Sequence, residues 1–335
     1  MSLNKTKLIK QLCFLSIFAI IMCGCKPSGM RSRGIDTSNM TAIQAQAFSI
    51  IGESLSDADS TIRSNAIEVV VTTGQINFMP RVQQLLQDEM VPVRFAAALA
   101  VGDMQYTPAA NSINLLLKDT DTNVVLAASY AMTRLGYAGY TQVLRQELTN
   151  MNQTIRAHAA MLLGKSGDTG ALPELYQTMI DENSDDRTSY QAAEAIAMLG
   201  DESIYEKLWA MLISTYWDVR IAGVSAMGAL GTKKAQEALI SMLEDEVPEV
   251  RLAAAEQLGK LGSNAGEPEV IEIFEKNLTT GEDLQTVERI LALSALAIGR
   301  INSEKAIDYL PQLLKNNSQL VRLAAAQAVF LYTIR

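Results

Sequence analysis

Downstream of residue 25 the chain has no cysteine, and it has a single histidine, His158. All three cysteines, Cys13, Cys23 and Cys25, fall within the first 25 of 335 residues. For the body of the chain these shortages exclude zinc sites built from Cys and His, a disulfide framework, Cys–His nucleophilic pairs and two-histidine metal centres. Aromatic residues make up only 6% and prolines number 8, which argues against an all-β sandwich. No glycine-rich phosphate loop follows a strand-like run. Apolar residues are plentiful, at 48% against 19% charged, which suffices for a large core and is too apolar for a disordered chain.

The thiols sit in a segment with its own logic. Lys5, Lys7 and Lys10 precede an uncharged run from Leu12 to Met22, then Gly24-Cys25. A basic start, a short apolar stretch and a small residue before the cut describe a secretory signal. The run is about half the length a membrane-spanning helix needs. Lipid on Cys25 would account for the cysteine usage, since Cys25 would then be the one thiol retained. Acyl chains contribute ~0.8 kcal/mol per buried methylene, and two or more hold a protein at a membrane. A plain secretory signal is the alternative. Residues 26–40 show no apolar period and read as a tether. Removing residues 1–24 takes away three lysines and no acids, leaving 25 basic against 37 acidic side chains, a charge of −12. Such a chain is a poor ligand for nucleic acid, whose binding rests on phosphate neutralisation.

From residue 41 to 335 the chain repeats itself. Nine anchor positions, Arg63, Arg94, Val125, Arg156, Ser189, Arg220, Arg251, Leu291 and Arg322, step by 31, 31, 31, 33, 31, 31, 40 and 31. Three residues after each anchor the side chain is small (Ala66 to Ala325), and seven after it is apolar (Val70 to Val329). Those offsets fall on one face of a helix. Eleven after stand Gly74, Gly136, Gly167, Gly200, Gly231, Gly262 and Asn302, residues suited to the left-handed turn that ends a helix. Six before comes a short polar residue (Asp57, Asp88, Asp119, Asn150, Asn183, Ser214, Asp245, Asn316), with Gln285 the exception, able to accept from backbone N–H groups at a helix start. A shorter helix precedes each polar turn. The pattern predicts an all-α solenoid of nine stacked helical hairpins. Gly102, Gly164, Gly228, Gly259 and Gly299, eight after their anchors, are expected where a neighbouring helix comes close.

Leu310-Pro311-Gln312-Leu313-Leu314 followed by Asn316, Val321 and Arg322 resembles the HEAT repeat. The 31-residue step with Val-Arg-x-Ala-Ala-Ala is similar to the short repeats of the subgroup named after phycobilisome lyases. Gly24-Cys25 resembles the end of a bacterial lipoprotein signal. The resemblances imply a lipid-anchored protein of the bacterial envelope, facing the periplasm with the outer membrane favoured. They also imply a scaffold that binds other proteins on the concave side lined by second helices. A bilin-handling enzyme is the competing implication; the missing nucleophilic cysteine and the export signal stand against it.

On that side Leu99, Tyr130 and Met161 are expected to form an exposed apolar strip with Arg134, His158 and Lys165 beside it, His158 being an ordinary surface histidine rather than a catalytic base. The strip is the candidate partner site. Arg63, Arg94, Arg156, Arg220, Arg251 and Arg322 are assigned a structural role between repeats, interrupted at Val125, Ser189 and Leu291. No residue is assigned to catalysis, a cofactor or a metal. Phe330-Leu331-Tyr332 is expected to form the terminal edge.

Overall fold

The computed structural model describes residues 37–333; residues 1–24, read above as a signal, Cys25 and residues 26–36 of the expected tether lie outside the described residues. Among the described residues every regular element is helical. Second helices are α2 (Ser60–Thr72), α4 (Val91–Asp103), α6 (Thr122–Arg134), α8 (Gln153–Ser166), α10 (Asp186–Met198), α12 (Trp217–Leu230), α14 (Pro248–Lys260), α16 (Leu284–Ile301) and α18 (Gln319–Thr333). First helices are α1 (Thr37–Ser54), α3 (Met79–Leu85), α5 (Ala110–Leu116), α7 (Thr141–Gln146), α9 (Leu172–Ile180), α11 (Tyr205–Leu212), α13 (Lys233–Ser241), α15 (Glu267–Glu275) and α17 (Leu310–Leu313). The expected all-α solenoid is thus present, with stacked helices in each unit described below. Its first helix starts at Thr37 rather than residue 41, so residues 37–40 do not belong to the tether.

The described residues divide into two compact units, 51–213 and 214–333 together with 37–50. In the middle unit each second helix packs on the next, α2 on α4, α4 on α6, α6 on α8 and α8 on α10. The terminal unit repeats this from α12 through α14 and α16 to α18. There the first part of α1 lies with the last repeat, where Gln46 Nε2 donates to the Leu314 carbonyl at 3.4 Å. At the terminal edge Leu331 is buried, and Phe330 and Tyr332 are half-exposed.

The anchor arginines tie the hairpins together. Arg63 Nη1 donates to the Asp57 and Ala58 carbonyls of its own turn, while Nε and Nη2 clasp Asp88 of the next repeat at 2.9 and 2.8 Å. Arg94 does the same with the Asp88 and Glu89 carbonyls and with Asp119. Arg220 reaches Asp245 at 2.7 Å. The receiving carboxylate also organises a turn: Asp88 accepts from the Met90 N–H at 2.9 Å and Asp119 from the Asp121 N–H at 2.9 Å. The polar column thus folds the turn itself. The helix cap is a separate side chain, such as Asp59 on the Thr61 N–H or Asp121 on the Asn123 N–H.

Repeat five corrects the assigned register. Its two extra residues lie between the polar turn and α10, so Asp181, not Asn183, takes the turn position. Asp181 accepts from the Asn183 N–H at 3.0 Å and from Arg156 Nη2 at 2.7 Å. Those contacts hold its carboxyl down, at about 2. The nine residues added before Leu291 divide between the turns after α15 and a second helix of 18 residues, which carries Gln285 inside it.

Close packing explains the small residues. A Cβ on Gly164 would lie 2.8 Å from Ala195 Cα, and one on Gly102 would lie 2.9 Å from Ala131 Cα. Every glycine in the helix-ending column has positive φ, and so does Asn302. In repeat two the same place is taken by Gln105, at φ 48°. Gln105→Gly is expected to stabilise the protein by roughly 1 kcal/mol in urea titration, since a side chain there pays the left-handed cost. Gly164→Ala is expected to destabilise it by about 1–3 kcal/mol through overpacking, although helix propensity alone favours Ala by ~1 kcal/mol. A gain in stability from Gly164→Ala would show that α8 and α10 are not in close contact.

Candidate functional site

In the middle unit the second-helix face is closed. Adjacent helix axes lie ~8–10 Å apart, so side chains two repeats apart meet only where the row bends sharply. They do meet. Phe95 on α4 stacks on His158 of α8, with ring centroids 4.5 Å apart and an interplanar angle of 28°. Lys165 Nζ on α8 pairs with Asp103 Oδ2 on α4 at 3.1 Å. The intervening α6 contributes the small Ala127, fully buried, and Tyr130, whose hydroxyl donates to Asp103 Oδ1. In the terminal unit Arg289 of α16 lies over the Trp217 ring of α12 at 5.6 Å and pairs with Glu249 of α14 at 3.2 Å.

The six candidate partner residues therefore do not form a surface strip. Tyr130 and Met161 are 1% and 3% exposed, and Leu99 is half-buried. Lys165 lies under the Asp103 carboxylate with its ammonium 5.8 Å from the Tyr130 ring centroid. Arg134 is half-buried, with a buried Nε that has no hydrogen-bond partner. The structure does bring these residues together, as a packed polar cluster rather than an open surface. Burial is the main influence on its titrating groups: it pushes the Lys165 ammonium down against the pull of Asp103, and it pushes the Tyr130 phenol up, with Asp103 adding to the rise.

His158 is not the ordinary surface histidine expected. Its Nδ1 lies 2.8 Å from Asn123 Oδ1, and the imidazole is held at about 3, first by burial and then by the nearby Arg187 charge, with Asp121 opposing.

A feature the repeat analysis passed over lies on the opposite side, at the ends of the first helices. The residue just before the turn position is Gln87, Lys118, Thr149, Glu244 or Lys315 in five repeats, but Ile180 and Ile213 in repeats five and six. Both isoleucines are 67% exposed. One helical turn earlier stand Tyr176 and Trp209. Tyr176 is tied down, its hydroxyl 2.7 Å from Ser203 Oγ and 3.3 Å from Asp201 Oδ2. Trp209 stacks on Tyr205 at 6.5 Å and stays 37% exposed. The result is a preorganised outer row of apolar side chains on neighbouring hairpins. The periodic core signal hid it, because its residues break the pattern of their column instead of following it.

A family model described as HEAT repeats matches residues 141–222 and 205–297, over the same hairpins. The chain is a HEAT-repeat protein. Among solved structures, this HEAT-repeat chain is similar to human deoxyhypusine hydroxylase in complex with glycerol, at 18% identity and a TM-score of 0.40, covering 79% of this chain and 98% of that one. It is also similar to the CpcE–CpcF complex of phycocyanin lyase from Nostoc sp. PCC7120, at 19% identity and a TM-score of 0.44, covering 81% and 100%. Importin beta matches at 17% identity and a TM-score of 0.37, covering 88% of this chain and 44% of that one. No curated protein sequence matches. No described helix is long and apolar enough to cross a membrane.

The half-buried histidine makes the closed face testable. Its folded value lies below its unfolded one, so the unfolded HEAT-repeat chain takes up the proton first as pH falls. Stability then drops from about pH 6.5 downward and is unaffected by this group above that. Between pH 6.5 and 4.5 the loss is expected to be about 1–2 kcal/mol greater by urea titration than in His158→Phe, which keeps a ring against Phe95. An identical pH dependence in both proteins would place the imidazole in solvent.

Proposed function

We propose that the chain is a non-catalytic scaffold, anchored in a bacterial envelope through lipid on Cys25, that holds another protein on the outer face of its first helices. The observation that carries this reading is the exposed pair Ile180 and Ile213, at equivalent places on adjacent hairpins where other repeats have polar residues. Large apolar side chains left in solvent side by side mark interaction sites on soluble surfaces. The second-helix face offers less, since its own side chains already fill it in repeats two to four.

The anchoring half of the reading rests on the Leu12–Met22 run and Gly24-Cys25. A chain held by acyl groups and a tether can present its outer surface to a neighbour while carrying an acidic body that avoids nucleic acid. The charge of the part beyond residue 24 fits that description.

The test uses the full chain in native cells. A photo-crosslinking residue at position 213 is expected to capture a defined protein, and the same residue at position 118 is not. Cys25→Ser is expected to move the chain from the membrane fraction to the soluble fraction. Equal capture at both positions would contradict the scaffold surface, and a membrane-bound Cys25→Ser protein would contradict the lipid anchor.

A further inference from the structure

The outer row lies in an acidic field. Between residues 172 and 213 the exposed charged side chains are Glu182, Asp185, Asp186, Glu202, Glu206 and the single base Lys207. Glu182 follows Ile180 by two residues, and Glu206 shares a helix face with Trp209 and Ile213, three and seven residues on. Apolar contact supplies affinity on such a surface, and the surrounding charge selects the partner.

Spacing narrows the shape of that partner. Trp209 and Ile213 stand one turn apart on one face of the α11 end, and Ile180 ends the first helix of the preceding hairpin. Residues i and i+4 of a partner helix repeat at the same one-turn interval and point the same way. Trp209, one turn before Ile213, adds a broad flat contact of the type that dominates interface energetics. Tyr205 and the Tyr176–Ser203 hydrogen bond hold the row in place, so little ordering is needed on binding.

We propose that this surface docks an amphipathic helix of a partner protein, whose apolar side chains at i and i+4 seat on Trp209 and Ile213 beside Ile180 and whose flanks carry Lys or Arg. The inference rests on the scaffold reading and adds the chemistry of its partner. Both isoleucines are largely exposed, so replacing them leaves the core intact.

The probe is a labelled ~18-residue helical peptide with leucines on one face and lysines on the other, measured by fluorescence anisotropy against the full chain. Binding is expected, roughly tenfold weaker to I180S/I213S, a variant that leaves the net charge unchanged. It is also expected to weaken with E182Q/E206Q and with added salt. A peptide with the same leucine face and glutamates in place of lysines is expected not to bind. The proposal is overturned if the lysine peptide fails to bind, binds I180S/I213S as tightly, or is matched by the glutamate peptide. It is also overturned if sedimentation shows a dimer that I180S/I213S abolishes, since the occupant is then a second copy. Capture of a protein at position 213 in cells, with no peptide binding, removes the basic helix and leaves the scaffold. Peptide binding without any capture does the reverse.

Discussion

Each of Arg63, Arg94 and Arg220 performs two jobs at once, and the stack depends on both. Its Nη1 closes the turn of its own hairpin on backbone carbonyls, and the rest of the guanidinium grips a carboxylate one repeat further along. That carboxylate is simultaneously the acceptor that shapes the next turn. Burial alone would push the Asp88 carboxyl up, but the Arg63 hydrogen bonds and the Met90 N–H together hold it below its ordinary value. The fork geometry of arginine suits this double duty, which a lysine could not fill. Hairpins that cannot bury their own apolar faces are thereby fixed in spacing and rotation relative to the next one.

Within each unit, that fixed rotation bends the row of second helices until side chains two repeats apart meet. The small residues of the middle repeats permit this, and the stacked Phe95 and His158, the Asp103–Lys165 pair and the Arg289–Trp217 contact are its products. Polar groups on the inner face find partners there, so the face is occupied from within. What remains for a partner is the outside of the first helices, where the repeat tolerates variation because nothing packs on it. Ile180, Trp209 and Ile213 use that freedom.

Much of this was legible in the sequence. The small, apolar and glycine columns fixed hairpin number, packing face and helix ends, because close packing and left-handed turns leave few alternatives. The matching of charge between repeats was also written there. Asp88 and Asp119 follow Arg63 and Arg94, whereas Asn150 and Asn316 follow the repeats whose anchors are Val125 and Leu291. Other features were not legible. Curvature is the sum of small rotations that no column records, so the burial of Tyr130 and Met161 and the stacking of His158 on Phe95 could not be read from their offsets. The two extra residues of repeat five shifted its polar column, and only the geometry shows Asp181 in the turn. The outer row escaped notice because a search for repetition discards the residues that depart from it.

The closure of the second-helix face is the claim on which the placement of function depends, and the single histidine gives it a direct reporter. An NMR titration of the His158 ring in the folded chain is predicted to show a neutral imidazole through pH 5, with cross-relaxation to the Phe95 ring. A ring that titrates near the free-imidazole value of about 6.5, with no contact to Phe95, would mean that the inner face is open and that the partner belongs there instead.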